Sequence, residues 1–169
     1  MGIKKIYKYG EPVLRQRCKP VEQITPEIKK LISDMFETMY SVPGAGLAAP
    51  QVGVLLRICV IDVSREGKKQ PVALINPKLV DKKETIKEDE GCLSFPGLFA
   101  EVKRFDKVKI RAVNEKGLPV EIEASGVFSR AVQHELDHLD GKLFIDYLSF
   151  FKKRQILKEI KERKKSGNW

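Results

Sequence analysis

A chain of 169 residues, 42% of them hydrophobic and 33% charged, is long enough for one domain with its own core and short for two. Those fractions exclude a disordered polymer, and neither a secretory leader nor a run approaching the ~18 apolar residues of a membrane helix is found. Of the net charge of +9, six units fall in residues 150–169, where eight Lys and Arg stand against Glu159 and Glu162.

Thr25-Pro26-Glu27 supplies an N-cap, a proline suited to the first helical turn and a first-turn acid. The helix that follows has Ile28, Leu31, Ile32, Met35, Phe36 and Met39 as its apolar stripe and is expected to end near Pro43-Gly44. Next, VPGAGLAAPQVG (42–53) sets Gly44, Gly46 and Gly53 among small residues. A tight turn accounts for the glycines but not for Gln51. A flat backbone wall beside a substrate, with the Gln51 amide as a donor, accounts for both. No phosphate-loop signature is present.

LLRICVIDVS (55–64) and PVALINPKLV (71–80) are rich in β-branched residues and read as strands. EDEGCLSFPG (88–97) reads as a bend, with Gly91 allowing close backbone approach. KVKIRAVNEKGLPVEIEAS (107–125) alternates on both sides of NEKG and predicts a hairpin. The period then becomes helical in SGVFSRAVQHELDHLDG (125–141). At 100° per residue, Ser129, Arg130, Gln133, Asp137 and Asp140 gather on about a third of the circumference. His134 and His138 lie off that strip, in line with Val127 and Ala131, and face inward. Gly141 is the expected C-terminal cap.

The fold expected is α+β: mixed or antiparallel β-sheets packed around a central H-E-x-x-H helix, followed by a C-terminal helix. Residues 1–169 are read as a single catalytic domain, with 149–169 a basic C-terminal helix or tail. Phe150, Leu157 and Ile160 are the expected anchors of that helix. Its charge fits a solvated face or an electrostatic contact with RNA.

Two imidazoles four apart on one helical face can share a cation, and a glutamate after the first can reach a water held there. A lone buried histidine is more often a hydrogen-bonded core residue, but these are the only two histidines of the chain. A third ligand is needed. Glu159 and Glu162 are candidates, although both lie in the basic tail where i, i+4 pairing is the ordinary use of a carboxylate. Cys59 sits in an apolar strand and Cys18 lacks a site-like context. Cys92, beside Gly91, is the preferred third donor, giving Cys92, His134 and His138. Ligand type alone suggests Zn²⁺. Three cysteines at wide spacing are no disulfide framework and point to a reducing, cytoplasmic setting.

Taken together, GAGLAAPQ (44–51), EGCLS (90–94) and HELDH (134–138) resemble the peptide deformylase family, over a spread of about half the chain. The resemblance implies a hydrolase that removes the formyl group from formyl-methionyl nascent peptides and releases formate. It assigns Cys92, His134 and His138 as metal ligands, Glu135 as general acid/base, Gln51 and the Leu93 N–H as oxyanion donors, and Gly46 as a backbone contact to substrate. It implies Fe²⁺, replaceable by Zn²⁺, Ni²⁺ or Co²⁺, and association of the C-terminal helix with the ribosome. Gly44 belongs to the same glycine wall. Val127 and Ala131, on the histidine face, are expected to line the methionine pocket, with Arg130 at its rim. Some relatives carry arginine seven positions after the cysteine, where this chain has Phe99. The competing readings are a small metallopeptidase with a glutamate third ligand, and a basic RNA- or ribosome-associated module whose metal is structural.

Overall fold

The computed structural model describes residues 2–64 and 69–169. Helix α1 (Pro26–Tyr40) starts at the predicted cap, where the Thr25 hydroxyl oxygen accepts a hydrogen bond from the Ile28 N–H at 3.4 Å. Its stripe buries Ile32, Met35 and Met39 against β1 and β2. The five strands are β1 (Gly46–Ala48), β2 (Ile58–Ile61), β3 (Val72–Cys92), β4 (Phe95–Val113) and β5 (Pro119–Ser125). They form one sheet in chain order, and every neighbouring pair is antiparallel. Helix α2 (Gly126–Leu139) carries the two histidines and packs against β1, β2, β4 and β5, which makes it the central helix.

Strands β3 and β4 are far longer than the periodicity suggests. Residues 81–106, which the sequence pattern does not assign to a strand beyond the bend at Gly91, complete a ribbon joined by a two-residue turn at Leu93-Ser94. Residues 81–89 of β3 are almost wholly exposed and mostly charged, so that half has no apolar alternation to read, whereas the β4 half alternates and buries Leu98, Ala100, Val102 and Arg104. Cross-strand charge pairs such as Lys107–Glu84 and Lys87–Glu101 stand where apolar pairs would normally signal the register. Strand β3 pairs with β2 only through Val72–Ile75. Beyond that, the edge turned away from β4 has no strand partner among the described residues.

The polar strip of α2 is not a solvated face. Ser129 and Gln133 are buried and bond the main chain of β4: Ser129 Oγ donates to the Phe105 carbonyl at 2.8 Å, and Gln133 Oε1 accepts from the Phe105 N–H at 3.0 Å. A helix wrapped on nearly all sides needs polar partners for the strand edge it covers, and this strip supplies them. Gly141 follows α2 at φ +72°, and a β-carbon there would stand 2.6 Å from the Arg15 carbonyl oxygen. Both the backbone and the space require glycine.

Helix α3 (Phe150–Lys165) is anchored differently from expectation. Phe150 is 71% exposed, and the buried residues are Ile156 and Ile160, with Leu157 packed at the edge. Phe150 begins the first turn, directly after the Ser149 cap, whereas positions four apart further along share the face that meets Phe95 and Phe144. Trp169 closes over the same cluster: its ring meets Phe95 edge-on and its Nε1 donates to the Tyr9 carbonyl at 3.2 Å.

Candidate active site

Cys92 ends β3 just before the turn, and Phe95 starts β4 fully buried against Tyr9 and Phe144, so aromatic packing fixes where the sulfur points. Helix α2 brings His134 and His138 up from the other side. The donor atoms of Cys92, His134 and His138 lie within 4.8 Å of one another. Cys92 Sγ is 3.3 Å from His138 Nε2, and His138 Nε2 is 3.2 Å from His134 Nε2. Bond lengths of about 2.0–2.3 Å at tetrahedral angles put such donors roughly 3.3–3.6 Å apart, so the set fits a single divalent cation.

The electrostatics fit as well. Burial pushes the His134 imidazole down in pKa, but the Cys92 sulfur and Glu90 more than reverse this and hold it well above its usual value. A protonated ring cannot ligate, so a cation taken up here displaces that proton. Burial, reinforced by neighbouring His134, drives His138 well below its usual range and leaves its ring neutral, as a ligand must be. His134 Nδ1 faces Glu90 Oε1 at 2.5 Å, which leaves Nε2 turned to the metal position.

Glu90 is itself clamped. Arg104 donates to both of its oxygens, at 2.9 and 2.6 Å, and to Asp137 at 2.6 Å, with the guanidinium over the Tyr147 ring. Burial alone would raise the Glu90 carboxyl, but Arg104 and His134 outweigh it and hold it down at about 2. The Arg104 guanidinium is raised despite its burial, through Glu90 and Asp137. The sequence marks neither residue: Glu90 lies in EGCLS beside the ligand cysteine, and Arg104 lies in the charge-rich stretch EVKRFDK. A basic residue in an exposed-looking, charge-rich strand carries no local mark of burial.

Glu135 is 3% exposed, and its Oε2 has no hydrogen-bond partner among the described residues. Burial, helped by Glu90 and opposed by His134 and Arg104, pushes its carboxyl up to about 7. A β-carbon on Gly46 would overlap that carboxylate, so only glycine lets β1 lie against it. Gln51 is also buried; its Oε1 accepts from the Ala48 N–H at 2.9 Å. Its Nε2 donates to Ser94 Oγ at 3.1 Å and points at Cys92 Sγ, 3.6 Å away. Ser94, also unassigned from sequence, donates in turn to the Tyr7 carbonyl at 2.7 Å and ties the turn to the N-terminal segment. The Leu93 N–H has no main-chain acceptor among the described residues.

One cavity of ≈ 810 Å³ joins these groups. Cys92, His134, Glu135 and Gln51 lie in its lining with Leu93, Gly44 and Gly46, and Val127, Ala131 and Arg130 line it further along α2. His138 is buried behind the wall. Arg130 is held by an ion pair with Glu88. Glu159 and Glu162 are elsewhere, paired with Arg163 and Lys158 on α3. The glutamate third ligand, and the metallopeptidase reading built on it, therefore fail. No fourth His, Cys, Asp or Glu joins the group among the described residues, against a closed structural site.

A sequence model of polypeptide deformylase matches residues 3–154. The chain belongs to that family. The peptide deformylase of Endomicrobium trichonymphae is 52% identical over 169 residues, spanning all of both chains. The crystal structure of a peptide deformylase from Legionella pneumophila superposes with a TM-score of 0.92 at 40% identity, over 98% of this chain and 97% of that one. The deformylase of Ehrlichia chaffeensis superposes equally well, TM-score 0.92 at 36% identity, over 98% of each chain. This deformylase is thus a metal-dependent hydrolase of protein biosynthesis, which deformylates nascent peptides. No helix among the described residues is long and apolar enough to cross a membrane.

Proposed function

We propose that the deformylase uses Cys92, His134 and His138 to hold one divalent cation, Glu135 to move the proton, and Gln51 with the Leu93 N–H to hold the oxyanion. The observation that carries this is the meeting of three donors, Cys92 and His134 on the cavity wall and His138 just behind it, with the unpartnered carboxylate oxygen of Glu135. When bound, the cation supplies Lewis acidity, which makes water acidic enough to attack near neutral pH and polarises the formyl carbonyl. Glu135 takes the proton of the attacking water and later delivers it to the leaving amine nitrogen. Gln51 Nε2 and the Leu93 N–H, both beside Cys92, are the donors for the carbonyl oxygen as it gathers charge. The peptide lies extended between the Gly44–Gly46 wall and the unpaired edge of β3, where main-chain bonds hold it whatever its side chains are. Val127 and Ala131 line the pocket for the methionine side chain, with Arg130 at its rim.

Purified without oxygen, the protein is expected to release formate from a formyl-methionyl peptide. Gln51→Ala should lower that turnover by ~10²–10³ with metal content little changed, and Tm should fall because the buried Ala48 N–H loses its acceptor. Full activity in this variant would remove Gln51 from the oxyanion site.

Membership in the family supports Fe²⁺ as the resident metal, with Zn²⁺, Ni²⁺ or Co²⁺ able to substitute; elemental analysis of anaerobic preparations decides it. The three free cysteines support a cytoplasmic setting, and the chain is read as one catalytic domain over 1–169. The basic face of α3 supports electrostatic docking on the ribosome. Removing α3 would strip Ile156 and Ile160 from the core, so charge reversal is the better probe. Lys152→Glu with Lys158→Glu should weaken co-sedimentation with ribosomes at moderate salt while leaving deformylation of free peptides unchanged. Undiminished co-sedimentation would end the idea.

A further inference from the structure

Ser94, in the turn that joins β3 to β4, is fully buried, and each of its polar groups is engaged. Its N–H donates to Cys92 Sγ at 3.4 Å, and its carbonyl accepts from the Tyr9 N–H at 2.9 Å. Its hydroxyl gives its one proton to the Tyr7 carbonyl at 2.7 Å. Toward any other neighbour that oxygen can only accept, and Gln51 Nε2 donates to it at 3.1 Å.

This arrangement fixes which way round the Gln51 amide stands. At the other end of the amide, Oε1 accepts from the Ala48 N–H at 2.9 Å. A flipped amide would set its NH2 against the Ala48 N–H, donor on donor. Its oxygen would then face a hydroxyl whose proton already belongs to Tyr7, acceptor on acceptor. Only one orientation satisfies both ends. The amide nitrogen carries two hydrogens, and Ser94 takes one of them. The other is left for the side of Cys92, whose Sγ is 3.6 Å from Nε2. Tyr7 closes the circuit, because its N–H donates to the Gln51 main-chain carbonyl at 2.7 Å while its own carbonyl holds Ser94.

We propose that Ser94 is a positioning residue for deformylation: its hydroxyl, set by the Tyr7 carbonyl, aims the second Gln51 N–H at the formyl oxygen. The inference rests on the reading of Gln51 as an oxyanion donor. A donor aimed in advance needs no reorganisation as charge develops on that oxygen. The contact it serves is made in the transition state, so its loss belongs in kcat and not in KM.

The test is a double-mutant cycle on the full-length, metal-loaded enzyme, read as formate release from a formyl-methionyl peptide. Ser94→Ala should lower kcat by about ten- to hundredfold with KM within about twofold. Metal content should not change, because alanine keeps the main-chain N–H beside Cys92. In a Gln51→Ala background the same substitution should change kcat by less than about twofold, since no amide remains to be aimed. Ser94→Cys keeps the shape but accepts hydrogen bonds poorly, and it serves the same cycle if the alanine variant does not fold. Unchanged kcat in the single variant overturns the proposal. So does an equal loss with and without the Gln51 side chain, which is what a merely structural residue would give. Undiminished kcat in Gln51→Ala alone would overturn the oxyanion reading, and the proposal with it.

Discussion

Glu135→Gln is expected to lower kcat for deformylation by ~10²–10⁴, the usual worth of a positioned proton-transfer group. Gln keeps the volume of Glu, so it fits against Gly46 and leaves the histidines on either side of its turn in place. What it lacks is an oxygen able to take a proton. Metal content should therefore match that of the unmodified enzyme, and activity within a few-fold of it would end the assignment of Glu135. The same variant makes a pH-dependent prediction about stability. Burial holds the Glu135 carboxyl up at about 7 against an ordinary 4.5. Stability that the metal-free protein has below 4.5, where the group is protonated in both states, is lost as pH rises through 7. Gln has no proton to lose. Metal-free Glu135→Gln should thus melt above the metal-free parent at pH 8, and the gap should close on acidification. A gap independent of pH would mean that the carboxyl is not held in its neutral form by the fold.

The second large effect is expected at Arg104→Leu. The Arg104 side chain is 3% exposed, and Glu90 and Asp137 are 11% and 15% exposed at their side chains. Removing one partner of a buried pair leaves the other charges without compensation, at about 3–5 kcal/mol. The midpoint of urea unfolding checks this. A merely structural arginine would do no more, but Arg104 acts through Glu90 on the Nδ1 side of His134. Loss of such a support typically weakens metal binding by about 10–100-fold. The measurement is metal affinity by competition with a chelator, on protein still folded at low temperature. Arg104→Lys should recover part of the stability but little of the affinity, because ammonium cannot reproduce the two parallel bonds of the guanidinium to Glu90. Unchanged affinity in Arg104→Leu would make Arg104 a structural residue only.

Much of the site was legible because its chemistry is local in sequence. His134, Glu135 and His138 share a helical turn, Cys92 stands in a glycine-marked bend, and Gln51 was the polar residue that a tight turn could not explain. Helix α1, the hairpin of β4 and β5, and α2 with its terminal glycine follow from periodicity and capping. What escaped was non-local. The β3–β4 ribbon pairs charged residues across strands, the supposed outer strip of α2 is consumed by Phe105 of β4, and α3 rests on Ile156 where Phe150 was expected.

The sequence by itself determined which groups can bind a cation and move a proton, because residue type and helical spacing set donor chemistry and the face it occupies. Only the tertiary structure decided that Cys92, forty-odd positions earlier, meets those histidines, that Arg104 and Glu90 brace them, and that Phe99 stands bare at the mouth. Each of these depends on pairing between strands and on burial by distant elements, and neither leaves a period in the chain that encodes it.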